Sequence, residues 1–303
     1  MCILEGMSDP DSGKRALIIV NPKAGRRLIR EVVLPQVRAV FAEHGYRVRL
    51  ARTKFAGHAT RIVRDLLLQL DLVVVVGGDG TVDEVVAAID GSDIPLGIIP
   101  LGTANVLSLD LGIPQNPIEA ARTIVHGRTR KVDIGYINGR PFVLMASAGF
   151  DAFAVHATDD SVKFFLGKLA YLFSALWAAL TYRWKRLAVQ IPEKGVEDSG
   201  YLAIASNSRF YGGRVNFDPA IQIDDGRLDL LLFKRSSILD VFRTLMALLT
   251  RSKLRPSELA VYRAGHFVLT SKSRMYVQVD GDKAPDHEAD ISIGPGRLTV
   301  FAP

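Results

Sequence analysis

No stretch restricts this chain more than Leu72 to Ile89, LVVVVGGDGTVDEVVAAI. Five apolar residues in succession, four of them valine, fit a strand buried on both faces of a parallel sheet, and Gly77 and Gly78 end it. A helix follows at once. Val82, Val85, Val86 and Ile89 repeat at helical spacing, and Thr81 with Glu84 has the spacing of a capping box. Strand, glycine turn and helix together leave backbone N–H groups free to face an anion. Asp79 repels a phosphate bound there unless a divalent cation lies between them, so the pattern asks for phosphate and metal together. The turn alone does not identify a nucleotide site. Tight βα connections use glycine for steric reasons too, and the Gly-Lys-Ser/Thr ending of a Walker loop is absent.

The surrounding chain repeats this unit. Ala16 to Val20 reads as a strand ending in Asn21-Pro22-Lys23-Ala24-Gly25, which is either a plain turn or a second phosphate-facing loop with Lys23 and Arg26 as point charges. A helix fits Leu28 to His44, and Pro35 is predicted to kink or divide it. Tyr46 to Arg52 alternates like a strand, Thr53 stands just past its end, and Ala59 to Leu70 reads as a helix. Pro95 to Ile99 is a further strand running into Pro100-Leu101-Gly102-Thr103-Ala104-Asn105, with helical spacing resuming through Leu107, Leu109 and Leu111. Strands alternating with helices predict a doubly wound α/β sheet. The loops at Asn21, Thr53, Gly77 and Gly102 all follow carboxyl ends of strands, the edge at which open α/β sheets bind ligands.

Near Lys131 to Pro141 the character changes. Short β runs follow at Phe142–Ser147, Leu187–Ile191, Tyr201–Asn207, Leu228–Phe233, His266–Ser271 and Met275–Val279. Two inserted helices are expected, at Val162 to Tyr182 and at Ile238 to Thr250, the second opened by a Ser237…Asp240 cap. The expected organisation is a disordered leader over 1–14, an α/β domain over 15–138 and a β domain over 139–303, whose last residues can return to the first domain.

A chain of 303 residues, 48% apolar, builds a core without staples. Its single cysteine, Cys2, rules out a disulfide framework and makes a reducing cytoplasm the default; no export signal surrounds it, and Met7 is an alternative start. A net charge of +6 and a pI near 9.4 suit polyanionic ligands or an acidic membrane surface without demanding nucleic acid. Leu169 to Leu180 is too short to cross a bilayer. No pair of histidines has metal-ligand spacing, and Ser206 and Ser208 lack a nucleophile-elbow context, so zinc and hydrolase chemistry have no support. Val162 to Trp184 is apolar nearly all round. It reads as a core helix or as a wall for an acyl chain that dips into a membrane, with Arg183, Lys185 and Arg186 meeting acidic headgroups. The basic cluster Arg251, Lys253 and Arg255 complements a helix dipole. Asp224 to Asp229 is a solvated hairpin turn, or a hard-cation site at Asp225 with the carbonyls of Gln222 and Arg227. Asp282 is an exposed turn carboxylate or a general base.

Taken together, NPKAG, GGDGTVDE, PLGTAN and the late VDGD resemble the diacylglycerol kinase catalytic domain family, the soluble bacterial lipid kinases related to sphingosine and ceramide kinases. Their order and spacing cover the chain from Ala16 to about Val300, and the GGDGT element is shared with NAD kinases and, more distantly, phosphofructokinases. The resemblance implies an N-terminal α/β nucleotide domain, a C-terminal β-sandwich domain and an active site in the cleft between them. It puts ATP phosphates against Asn21, Pro22, Lys23, Ala24 and Gly25 and against Gly78, Asp79, Gly80, Thr81, Val82, Asp83 and Glu84, with Thr53 and Thr103 as further nucleotide contacts. Asp79 then acts with Mg2+, Asp282 takes the proton of a lipid hydroxyl, and a structural magnesium sits at Asp225 and the carbonyls of Gln222 and Arg227. Three positions depart from the family: Asp282 where Glu is usual, Val106 where many members have Asp, and Asp83 in place of a common Asn.

The expected activity is transfer of the γ-phosphoryl group of ATP to a hydroxyl of a diacylglycerol-like or sphingoid lipid. The alternatives are an NAD kinase-like phosphotransferase and a lipid-binding regulatory protein with weakened catalysis. Expected partners are the lipid substrate and an acidic membrane surface, with a homodimer allowed and no nucleic acid. The implied location is cytoplasmic, peripheral at the inner membrane face.

Overall fold

Valine-rich strands with no polar alternation must be covered on both faces, and the first part of the chain meets that need with helices. The computed structural model describes residues 13–24, 27–157, 182, 184–211, 215–216, 220–237, 239–240, 243, 247, 257–273, 275–284 and 288–303. Within them run β1 (Lys14–Val20), α1 (Arg27–Glu43), β2 (Tyr46–Arg52), α2 (His58–Leu66), β3 (Leu72–Gly77), α3 (Asp79–Ile89), β4 (Leu96–Pro100), α4 (Val106–Asp110) and α5 (Pro117–Val125). The four strands are parallel in the order β2-β1-β3-β4, and every residue of β3 is buried. Helix α1 packs on α5, and α2 on α3, the two pairings that the usual right-handed crossovers produce on opposite faces for this strand order.

This order reverses direction between β1 and β3, the switch point at which a doubly wound sheet opens a crevice. Pairing levels the carboxyl ends. Val20 lies opposite Arg52 and Val76, and Gly77 opposite Pro100, so four turns leave from one rim.

Several local expectations are corrected. Helix α1 is not divided but runs on through Pro35, held by the buried Leu34, Val37, Val40 and Phe41. Helix α2 closes at Leu66 with a 3₁₀ turn, Leu67–Gln69, instead of running to Leu70. The Thr81…Glu84 capping box does not form, because α3 already starts at Asp79 with Gly78 as its cap. The Glu84 carboxylate reaches across to α2 and accepts the N–H groups of Gly57 at 2.7 Å and Ala59 at 2.9 Å. Helix α5 was not foreseen, although its signal is present: Asn116 caps it by accepting the N–H of Ile118, and Pro117 opens it.

The chain divides into two compact units. Residues through Ile134 join Phe210, Tyr211 and Pro295–Pro303 in the first; Gly135 to Arg209 and Val215 to Gly294 form the second. Continuing in order, the strands are β5 (Thr129–Ile137), β6 (Arg140–Phe142) and β7 (Met145–Gly149), followed by helix α6 (Phe150–Ala157). Then come β8 (Leu187–Ile191), β9 (Val196–Gly200), β10 (Leu202–Ser206), β11 (Phe210–Tyr211), β12 (Val215–Asn216) and β13 (Leu228–Phe233). The last are β14 (Leu259–Ala264), β15 (His266–Thr270), β16 (Val277–Val279), β17 (Asp282–Ala284) and β18 (Ala289–Phe301).

In the second unit, β9-β8-β15 and the first residues of β18 form one antiparallel sheet, and β14-β13-β10-β7-β16-β17 another. Their inner faces share one apolar cluster: Leu187, Val189, Phe267 and Leu269 from the first sheet, Ala146, Ala203, Leu230 and Val277 from the second. This is a β-sandwich. The predicted strand over 142–147 is broken at Val143 and Leu144. The Asp280 carboxylate accepts the N–H groups of Val143, Leu144 and Met145 at 2.8, 3.0 and 2.7 Å, pulling that backbone out of the ladder.

Ser237 Oγ accepts the Asp240 N–H at 3.1 Å, the expected cap. Most of the helix behind it lies outside the described residues, as do all of the Val162–Tyr182 helix but Tyr182, the Arg251, Lys253 and Arg255 cluster, and Arg183. Among the described residues no helix is long and apolar enough to cross a membrane.

In the first unit the Asp133 side chain is 3% exposed and meets Arg297 Nε at 2.7 Å. Arg297→Ala takes that guanidinium from a buried carboxylate, and we expect a loss of about 2–3 kcal/mol in urea unfolding. An unchanged midpoint would show the pair to be neutral.

Candidate active site

Asn21, the first residue beyond β1, spends its groups on the protein. Its N–H donates to Val76 O at 3.2 Å, its Oδ1 accepts the Lys23 N–H at 2.9 Å, and its carbonyl accepts the Ala24 N–H at 3.1 Å. Its Nδ2 donates to Thr81 Oγ1 at 3.0 Å, which ties the β1 turn to α3 across the switch point. Asn21 is thus the clasp of the crevice. Pro22 and Lys23 are exposed beside it, while Gly25 and Arg26 lie outside the described residues. Thr53 is set level with this turn by its N–H bond to Val20 O at 2.9 Å.

The turns after β3 and β4 are pressed together. Leu101 and Gly102 both donate to the Gly77 carbonyl, at 2.8 and 3.1 Å. A Cβ on Gly102 would stand 2.5 Å from Gly78 Cα, so only glycine permits the approach. Thr103 is exposed on the same loop, and Asn105 turns the chain at φ 51° while its amide donates to Gly102 O at 3.0 Å. At the start of α3, the N–H groups of Thr81 and Val82 fold back onto Gly78 O. Gly80 is exposed in front of them with nothing within 4 Å of where a Cβ would be, which leaves room for an anion at the helix start.

Asp79 is the charged member of this rim. Its Oδ1 accepts the Leu107 N–H at 3.4 Å, and the N–H groups of Val106 and Asn105 also face it, at the opening of α4. Burial pushes its carboxyl above the ordinary value, and those N–H groups only partly offset the effect. The carboxylate is therefore short of positive charge. The rest of the GGDGTVDE motif has more ordinary tasks: Val82 is buried in the core, Thr81 is buried against Asn21, and Glu84 caps α2. Asp83 is half-buried.

In the second unit, Asp280 and Gly281 both have positive φ, 48° and 89°, and join Val279 to Asp282 in a two-residue hairpin of the primed type. The sequence reading overlooked Asp280, whose carboxylate fixes the turn. Asp282 is exposed at its end, 3.2 Å from Arg140 Nη2, and Arg140 Nη1 donates to Lys283 O at 3.2 Å. At the Asp225 turn, Asp225 Oδ1 accepts the Arg227 N–H at 3.0 Å, while Arg263 stands 3.6 Å from the other oxygen and 3.0 Å from Asp229. Arg263 thus stands between the Asp225 and Asp229 carboxylates at the turn expected to hold a cation through Gln222, Asp225 and Arg227. Among the described residues no three His, Cys, Asp or Glu side chains form a cage for a metal. Beside the hairpin strands, Phe150, Phe153, Tyr182, Trp184 and Tyr276 form a separate aromatic cluster.

Two substitutions probe the first unit. Since the Asp79 carboxyl has a higher pKa folded than unfolded, the folded state binds that proton more tightly, and stability falls as pH rises through the window between the two values. Asp79→Asn removes this loss: its Tm should exceed that of the wild type at neutral pH, with the gap closing as pH drops below about 4. A gap independent of pH contradicts the assignment. Gly102→Ala should cost about 1–3 kcal/mol, read from chemical denaturation, by driving a methyl group into Gly78.

The family model described as the diacylglycerol kinase catalytic domain matches residues 15–137, and that of the YegS C-terminal NAD kinase beta sandwich-like domain matches residues 144–302. The diacylglycerol kinase of Bacillus subtilis is 30% identical over 274 residues, covering 89% of this chain and 90% of that protein. That of Staphylococcus epidermidis is 27% identical, covering 96% and 92%. A crystal structure of a diacylglycerol kinase from Bacillus anthracis superposes with a TM-score of 0.76 at 26% identity, over 97% of this chain and 99% of that one. Both units thus match parts of one enzyme architecture in the same order, and the chain belongs to the diacylglycerol kinase family and is a lipid kinase.

Proposed function

We propose that this kinase uses ATP and magnesium to phosphorylate a hydroxyl of a diacylglycerol-like or sphingoid lipid at a membrane surface. The observation that carries the reading is the levelled rim of the first unit, where the Asn21, Gly78 and Gly102 turns meet around an under-neutralised Asp79. On it the triphosphate lies against the exposed Gly80 N–H at the start of α3, with the exposed Lys23 as a point charge. Magnesium, when bound, would supply charge neutralisation for the phosphates. Asp79 would hold it. A single half-buried carboxylate suits an ion that needs few protein ligands.

The lipid hydroxyl attacks the γ-phosphorus, its O–P bond forms as the bridging P–O bond to ADP breaks, and Asp282 takes the hydroxyl proton. Arg140 orients that carboxylate through the 3.2 Å ion pair. The net charge of +6 favours an acidic bilayer, so the enzyme works as a peripheral protein at the inner membrane face, in the cytoplasm, with a homodimer compatible.

The test is purified protein with labelled ATP, magnesium, and either lipid extracts or NAD. Label should enter chloroform-soluble product; label in NADP would overturn the proposal in favour of an NAD kinase. Asp282→Asn should lower turnover by at least about 100-fold and Asp282→Glu should retain it. Equal turnover in both variants removes Asp282 from the chemistry.

A further inference from the structure

Beyond β2 the chain carries a feature that neither phosphates nor lipid account for. Phe55 is 58% exposed in the loop between Thr53 and α2. A lone exposed apolar side chain is ordinary on a surface. Phe55, however, is neither loose nor alone. Its ring lies 4.6 Å from the His58 imidazole at an interplanar angle of 31°. The Lys54 N–H donates to His58 Nδ1 at 3.1 Å, which fixes that ring. The loop itself is bolted down at both ends: Thr53 donates to Val20 O, and the Glu84 carboxylate holds the N–H groups of Gly57 and Ala59. Thr60 Oγ1 adds a bond to the Glu84 carbonyl at 2.7 Å. Glu84 belongs to α3, the helix that begins with Asp79, so one rigid body carries the anion-facing turn and the paired rings.

Their separation is informative. Strand order places β2 two strands from β3, roughly 10 Å along the rim. That is comparable to the span from the phosphates of an extended nucleotide to its base. We infer that Phe55, backed by His58, is the platform on which the aromatic base of the bound nucleotide stacks. The inference rests on the ATP reading above and adds the base-binding half of that site. The rings offer a flat apolar face, so recognition by them selects for a base over no base and discriminates little among purines.

Calorimetry on the full chain with magnesium, titrating ATP, GTP and inorganic tripolyphosphate, tests it. The wild type should bind both nucleotides about tenfold or more tighter than tripolyphosphate. In Phe55→Ala that advantage should vanish for ATP and GTP alike, with tripolyphosphate binding unchanged. Phe55→Trp should restore it, and its indole fluorescence should be quenched by ATP but not by tripolyphosphate. Wild-type ATP affinity in Phe55→Ala overturns the inference and leaves the kinase reading standing, including the case where that variant instead loses binding to vesicles of acidic phospholipid. A wild type that binds neither ATP nor tripolyphosphate overturns both.

Discussion

The anion-facing rim of the first unit depends on two backbones touching at Gly78 and Gly102, where a side chain on Gly102 has no room. The contact follows from register. Because Gly77 pairs with Pro100, the turns leaving β3 and β4 start side by side, and the Gly77 carbonyl takes both N–H groups of the returning loop. With a bulkier residue at either position the loops separate, α4 moves away from α3, and Asp79 loses the N–H groups that face it. A local steric rule thereby sets the electrostatics of the rim.

Those electrostatics are unfavourable in the isolated protein. Burial penalises the Asp79 carboxylate more than its N–H neighbours help it. A group held in that condition is stabilised by an arriving cation more than a solvated one would be, since its own desolvation cost is already met by the fold. The rim thus gives up some stability to hold a carboxylate whose burial cost an arriving cation would relieve.

What the sequence made legible follows from how strongly each element is constrained. Strands β1, β3 and β4 read as apolar runs because they are buried on both faces, the edge strand β2 shows as alternation, and the ends of all four were placed within about two residues. Strands β9 and β14 escaped notice. They are edges of their sheets, half exposed and mixed in composition, and nothing in their spacing marks them. Glu84 shows a different limit. Its distance from Thr81 fits a capping box, but spacing along a chain does not reveal that another helix presents its own N–H groups closer. The loops at the rim could be listed from the motifs, whereas the tasks of Asn21, Thr81 and Asp280 as clasps depend on partners up to 137 residues away, which no local pattern encodes.

That last separation has a consequence for biogenesis. The backbone amides of Val143, Leu144 and Met145 emerge with the first part of the sandwich and wait for a carboxylate 135 to 137 residues further along the chain. Until Asp280 arrives, the bend has no anchor, and the hairpin bearing Asp282 does not yet exist. The bend and the hairpin therefore set as one event, a contact of high sequence separation that has to wait until the long stretch of chain between them has closed.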